Sequence, residues 1–215
     1  MKRYIRSAIK PLGDEDRDFR MELAATYNPS MRIGNLGELV NDGDMYVRCA
    51  LARNSDCPVE ILQQLMHDEI PSVRYEVVGN PSITPEMLEA MAQDPVWSVR
   101  REVAYSLKTP VNTLIELSKD SSADVREAVA INKNTPADVL RELADDTNTN
   151  VKMYLASNLN TPQDVLAKLA SDPQNSVRTC VAKNINTPRD VLLRLADDSD
   201  GITRHYANDT LKWTL

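Results

Sequence analysis

Apolar and polar positions alternate along this chain in a pattern that repeats every 26 residues. The clearest copy reads Thr135-Pro136, Val139-Leu140, Leu143-Ala144, Asp146, Val151-Lys152, Leu155-Ala156. Val139, Leu140 and Leu143 make an i, i+1, i+4 apolar stripe, renewed at Val165, Leu166, Leu169 and at Val191, Leu192, Leu195. That spacing predicts a short helix with one buried face. An i, i+4 apolar pair follows, as at Val99 and Val103 or Val125 and Val129, and predicts a second short helix. Neither segment reaches the roughly 12 residues at which an isolated helix becomes even marginally stable, so each needs neighbours to cover its stripe.

Polar columns keep the same step. Asn stands at 28, 54, 80, 132, 158 and 184, with Ser106 substituting once. An aspartate follows fourteen places on, at Asp42, Asp68, Asp94, Asp120, Asp146, Asp172 and Asp198. A cation comes six places later, at Arg48, Arg74, Arg100, Arg126, Lys152, Arg178 and Arg204. Seven blocks thus cover residues 28–209 without insertion. A fixed period of this length is the signature of a repeat array, and the pattern predicts an all-α solenoid of two-helix repeats. Thr109, Thr135, Thr161 and Thr187, each ahead of a proline, are expected to cap the first helix. Ser72, Ser98, Asp124, Asn150 and Ser176 are expected to cap the second. The Asn column is expected to close the second helix in a left-handed conformation.

The ends depart from the pattern. Residues 1–12 read as a basic arm opening with Lys2, Arg3, Arg6 and Lys10. Residues 13–27 read as an N-terminal capping half-repeat, with Met21 and Ala25 on the apolar columns. The first block is degenerate, with Arg32 in place of the proline and Gly34 and Gly37 in its first helix. Residues 210–215 read as a C-terminal cap.

The string Thr-Pro-x-x-Val-Leu-x-x-Leu-Ala-x-Asp followed by Val-Arg-x-x-Val-Ala resembles the leucine-rich repeat variant family, best at residues 135–156, 161–182 and 187–196. The resemblance implies a right-handed superhelix in which an α-helix is paired with a short 3₁₀ helix, so the second helix is expected to be partly 3₁₀. The Asp-x-x-x-x-Val-Arg segment is similar to HEAT repeats, where these positions form a ladder between neighbours. Some relatives carry an iron–sulfur segment ahead of the array. This chain has no cysteine before Cys49, and no cofactor is expected.

Charge and composition narrow the function classes. The net charge of −7 disfavours non-specific nucleic-acid binding, which needs clustered Lys and Arg. Cys49, Cys57 and Cys180 form no even disulfide set and no metal-binding spacing, which suits a reducing, cytoplasmic location. No segment approaches the roughly 20 apolar residues of a membrane span. His67 and His205 lie in distant blocks, and paired carboxylates recur with the repeat, so no catalytic residue and no metal ligand is expected. A helix start can depress a thiol pKa, which draws attention to Cys57, but no histidine is placed to act as its base.

The Asp and Arg columns are expected to oppose the helix macrodipole, with the acid at a helix end and the base at a helix start. Their repetition points to compensation: each aspartate accepting from the next helix start and pairing with a cation of an adjacent repeat. Recognition is expected instead where the blocks differ. Tyr75, Trp97, Arg101, Tyr105, Met153 and Tyr154 are outside the common pattern and include the residue types enriched at interface hot spots. If the second helices line the concave face, several of them form one patch across the middle blocks. The expected function is a non-enzymatic scaffold that binds a polypeptide along one face, as a monomer or weak dimer. The alternative is a nucleic-acid-directed protein of the HEAT-like DNA-repair glycosylase type, or an acidic mimic of nucleic acid.

Overall fold

Each repeat folds as two α-helices because a proline-led apolar stripe and a valine-led apolar pair are separated by the Asp-bearing loop. The computed structural model describes residues 17–27 and 36–213. The basic arm, residues 13–16, Asn28, Arg32, Gly34 and residues 214–215 lie outside the described residues. The first helices are α2 (Leu36–Val40), α4 (Val59–Leu65), α6 (Pro85–Met91), α8 (Val111–Leu117), α10 (Ala137–Leu143), α12 (Gln163–Leu169) and α14 (Arg189–Leu195). The second helices are α3 (Met45–Arg53), α5 (Pro71–Gly79), α7 (Trp97–Tyr105), α9 (Ala123–Ile131), α11 (Thr149–Ser157), α13 (Asn175–Lys183) and α15 (Gly201–Leu211), preceded by α1 (Arg17–Thr26). No strand occurs among the described residues. The architecture is an all-helical solenoid of two-helix repeats.

The chain divides into two compact units, one up to Glu102 and one from Val103. In the first, α1, α3 and α5 pack side by side; in the second, α9, α11, α13 and α15 do so. Their valine-column partners are fully buried: Val47 with Leu51, Val73 with Val77, Val125 with Val129, Val151 with Leu155 and Val177 with Val181. Leu62, Leu88, Leu114, Leu140, Leu166 and Leu192 fill the core from the first helices. Burying each leucine is worth about 1.5–3 kcal/mol, and that cooperative burial, not local propensity, holds helices of seven to nine residues.

The second helix is α-helical throughout its nine residues, not partly 3₁₀. The i, i+4 valine pairs explain why. At 3.6 residues per turn they share one buried face, whereas three residues per turn would swing the second valine about 120° away.

Three capping expectations are corrected. The Thr column does not cap the first helix in the later repeats. Thr109, Thr135, Thr161 and Thr187 turn inward and donate Oγ1–H to the carbonyls of Val103, Val129, Leu155 and Val181, at 2.5–2.7 Å. Thr84, which stands one place later, in the proline column, does cap its helix, accepting the Met87 N–H. The second-helix caps lie two residues earlier than expected, at Asp44, Ser122, Asn148, Gln174 and Asp200. Among these, the side chains of Asp44, Asn148 and Asp200 accept backbone N–H groups. The asparagines are not left-handed: Asn54, Asn80, Asn132, Asn158 and Asn184 are extended, with φ between −65° and −75°.

What the asparagines do is bond the repeats together. Nδ2 of Asn80 donates to the carbonyls of Ala52 (2.6 Å) and Asn54 (2.9 Å), while its Oδ1 accepts the Ser82 N–H. Asn132, Asn158 and Asn184 make the same three bonds at their own positions in the column. The ladder continues past the last asparagine, because Thr210 donates to the Ala182 carbonyl at 2.6 Å. At the first repeat the register slips. Asn54 reaches Ala24 and Tyr27, and Ala24 is buried where the 26-residue step points to Ala25, which is exposed.

Candidate partner-binding face

The charged columns form a second ladder. In Arg48, Arg74, Arg126 and Arg178, Nε and Nη2 fork onto the carboxylate twenty residues on, with Nε at 2.6–2.7 Å from Oδ2. Lys152 reaches Asp172 at 2.5 Å with a single Nζ. The third guanidinium nitrogen, Nη1, donates back to the carbonyl of the repeat's own aspartate, as Arg74 does to Asp68 and Arg126 to Asp120, both at 2.8 Å. Each carboxylate also accepts the N–H two residues ahead, which for Asp146 is that of Asn148 at 2.8 Å. Asp42 is met by Arg20 of α1, two positions ahead of the cation column.

This geometry corrects the dipole argument. Asp146 lies beyond the end of α10 and three residues before α11, where a negative charge favours the following helix start. Only the cation opposes its own helix, and the neighbouring carboxylate neutralises it. Burial alone would raise the carboxyls of Asp94 and Asp146; the bonds from Arg74 and Arg126 and from the Val96 and Asn148 N–H groups outweigh it and hold them below the ordinary value. The Arg178 bond does the same for Asp198. The paired side chains are nearly closed to solvent, and those cations are committed to the fold.

No group of His, Cys, Asp and Glu among the described residues is arranged to hold a metal ion. Burial pushes the Cys57 thiol up to about 12, opposite to an activated nucleophile. Burial, with Glu76 next in effect, also raises Cys49. His67 stands one residue beyond Met66, the C-cap of α4, at the edge of a shallow cleft of about 290 Å³ shared with Asp68, Arg74 and Asp94. His205 sits exposed on α15, its Nε2 3.3 Å from Asp209.

The variable residues lie on the second helices. In the first unit, Tyr75 of α5 is at the surface; partial burial and a hydrogen bond to Glu102 push its hydroxyl above the ordinary value. Trp97 is the first residue of α7 and is 45% exposed; Arg101 follows on the same helix, half-buried. Arg53 pairs with Glu76 across α3 and α5, and with the Tyr75 bond to Glu102 two carboxylates of this face already have partners within it.

In the second unit, Tyr105 ends α7 half-buried, while Met153 and Tyr154 lie on α11, with Tyr154 38% exposed. Lys183 places its Nζ 4.1 Å from the centroid of the Tyr206 ring. Arg53 to Glu76 and Lys183 to Tyr206 are both 23-residue steps, and the same step relates Ile131 to Tyr154. Ile131 is as exposed as Tyr154. The periodicity of the sequence did not single out Ile131 or Tyr206; the 23-residue offset between facing helices is the signal that finds them.

Among the described residues no helix is long and apolar enough to cross a membrane. The family model described as leucine rich repeat variant matches residues 47–70 and 123–147. A solved structure described as "a leucine-rich repeat variant with a novel repetitive protein structural motif" is 28% identical, with a TM-score of 0.67, covering 90% of this chain and 81% of that one. The structure of the Escherichia coli protein YibA is similar in fold, at 18% identity and a TM-score of 0.50, covering 93% and 98% of the two chains. An engineered protein is 14% identical over 82% of this chain and 66% of its own, with a TM-score of 0.47. No curated protein matches the chain in sequence.

Proposed function

We propose that this leucine-rich-repeat-variant solenoid is a non-enzymatic scaffold that binds a polypeptide partner along its second-helix face. The observation that carries this reading is the division of labour between columns. The valine, leucine, alanine, asparagine, aspartate and arginine columns are occupied by core packing and two ladders. The two columns after the cation vary from repeat to repeat and lie together on side-by-side helices. In the second unit they carry Met153 and Tyr154 beside the position of Ile131, and Tyr206 under Lys183, an aromatic and aliphatic strip of the type that dominates interface energies. A protein partner fits better than nucleic acid, because the chain is acidic and Arg48, Arg74, Arg126, Lys152 and Arg178 are already paired with column aspartates.

Affinity purification with mass spectrometry tests the reading. Wild type should recover a partner that the double variant Met153→Ala, Tyr154→Ala loses while keeping its melting temperature. The partly self-paired first-unit face predicts a smaller loss for Trp97→Ala. Identical recovery by all three proteins would contradict the assignment.

A further inference from the structure

A second surface is unexplained by packing, by the ladders or by the second-helix face. The residue after each position of the asparagine column, where Ser106 stands in once, is Leu107, Lys133, Leu159 and Ile185 in successive repeats of the second unit. Leu107, Leu159 and Ile185 are 60%, 58% and 57% exposed, and Lys133 is exposed as well. The fold does not require aliphatics there, since Ser55 and Pro81 occupy the same column in the first unit. The backbone of this edge is fixed from repeat to repeat. Asn134, Asn160 and Asn186 donate Nδ2 to the carbonyls of Leu107, Lys133 and Leu159 at 2.6–2.7 Å. The result is a preorganised row of three aliphatic side chains and one lysine, a single repeat apart.

We propose that this row docks an amphipathic helix of a partner protein, laid along the stack, with an acidic residue opposite Lys133 and apolar residues opposite Leu107, Leu159 and Ile185. Spacing selects a helix. Packed helices lie about 8–10 Å apart, so the row advances by about that distance per repeat. A helix rises about 10.5 Å over seven residues and returns to nearly the same face, close to the upper end of that step. An extended strand covers the same distance in about three residues, which would point alternate side chains away from the row. Charge selects the order: apolar, acidic, apolar, apolar at seven-residue steps. A second copy of this chain fits less well, because antiparallel pairing about the row's midpoint sets Lys133 against Leu159 of the second copy. The fixed edge also limits the ordering cost on binding.

The test uses the full chain and a fluorescein-labelled synthetic helix that carries Leu, Glu, Leu, Leu at successive seven-residue steps in an alanine, glutamine and lysine background. Fluorescence anisotropy should show saturable binding, weakened about tenfold or more by Leu159→Asn or Ile185→Asn, the effect expected of a central interface contact. Because those side chains are mostly exposed, neither variant should change the melting temperature. Lys133→Glu should reverse the preference, so that a peptide with Lys at the second step binds better than the Glu peptide. The proposal is overturned by the absence of saturable binding, by equal binding of Leu159→Asn, or by a loss seen only with Tyr154→Ala. Peptide-free self-association abolished by Leu159→Asn would assign the row to a second copy instead. Co-sedimentation with neutral phosphatidylcholine vesicles, lost in Leu159→Asn, would assign it to a lipid surface.

Discussion

At the residue scale, the asparagine column does more than any other single side chain. Asn158 satisfies the carbonyls of Ala130 and Asn132 and the N–H of Asn160, joining two repeats. Asn158→Ala leaves these groups without that partner and should cost about 2–4 kcal/mol, read as a lower urea midpoint with an unchanged slope. The charge ladder predicts the response to acid. The carboxyls of Asp94, Asp146 and Asp198 titrate below their ordinary value in the folded chain. Their contribution is therefore complete above the unfolded value of about 4 and is lost as pH falls through the lowered ones. Melting temperature should be flat from neutral pH to about pH 5 and fall steeply below pH 4, less steeply in Asp146→Asn. Cys57 should resist a thiol reagent in the native protein and react on unfolding, while half-buried Cys180 reacts first.

At the element scale, helix count, order and core columns were legible because 3.6-residue periodicity and the 26-residue step reinforce each other. Cap positions were not. Ser72, Asp124 and Asn150 are good capping residue types, yet each lies in the first turn, because the aspartate-bearing loop starts the helix two residues sooner. Asn148→Ala should therefore cost about 1 kcal/mol in chemical denaturation, whereas Asn150→Ala should be nearly neutral. The asparagine role was also misread, although the sequence held a hint. A left-handed position repeated this often would drift to glycine at some copy, and none does. Thr135 shows the same limit: Thr-Pro suggests a cap, and only the packed neighbour reveals the Val129 carbonyl waiting for its hydroxyl.

At the scale of the whole molecule, repetition separates shape from recognition. The shared columns build two units of stacked helix pairs, and the last repeat replaces the buried alanine column with exposed Asn208. A polar residue there suits a terminal face better than an alanine that needs cover. The candidate recognition residues were legible only as exceptions to the repeat. Which of them meet was not, because the facing offset of 23 residues is a property of packed helices and not of the 26-residue step. Arg126→Met and Met153→Ala with Tyr154→Ala, compared in melting temperature and partner recovery, test this separation most directly. The ladder variant should lose about 1–3 kcal/mol of stability, the cost of leaving Asp146 buried without its cation. It should keep its partner below its new melting temperature, while the face variant keeps its stability and loses the partner. An unchanged melting temperature in Arg126→Met together with full partner recovery by the face variant would contradict the account.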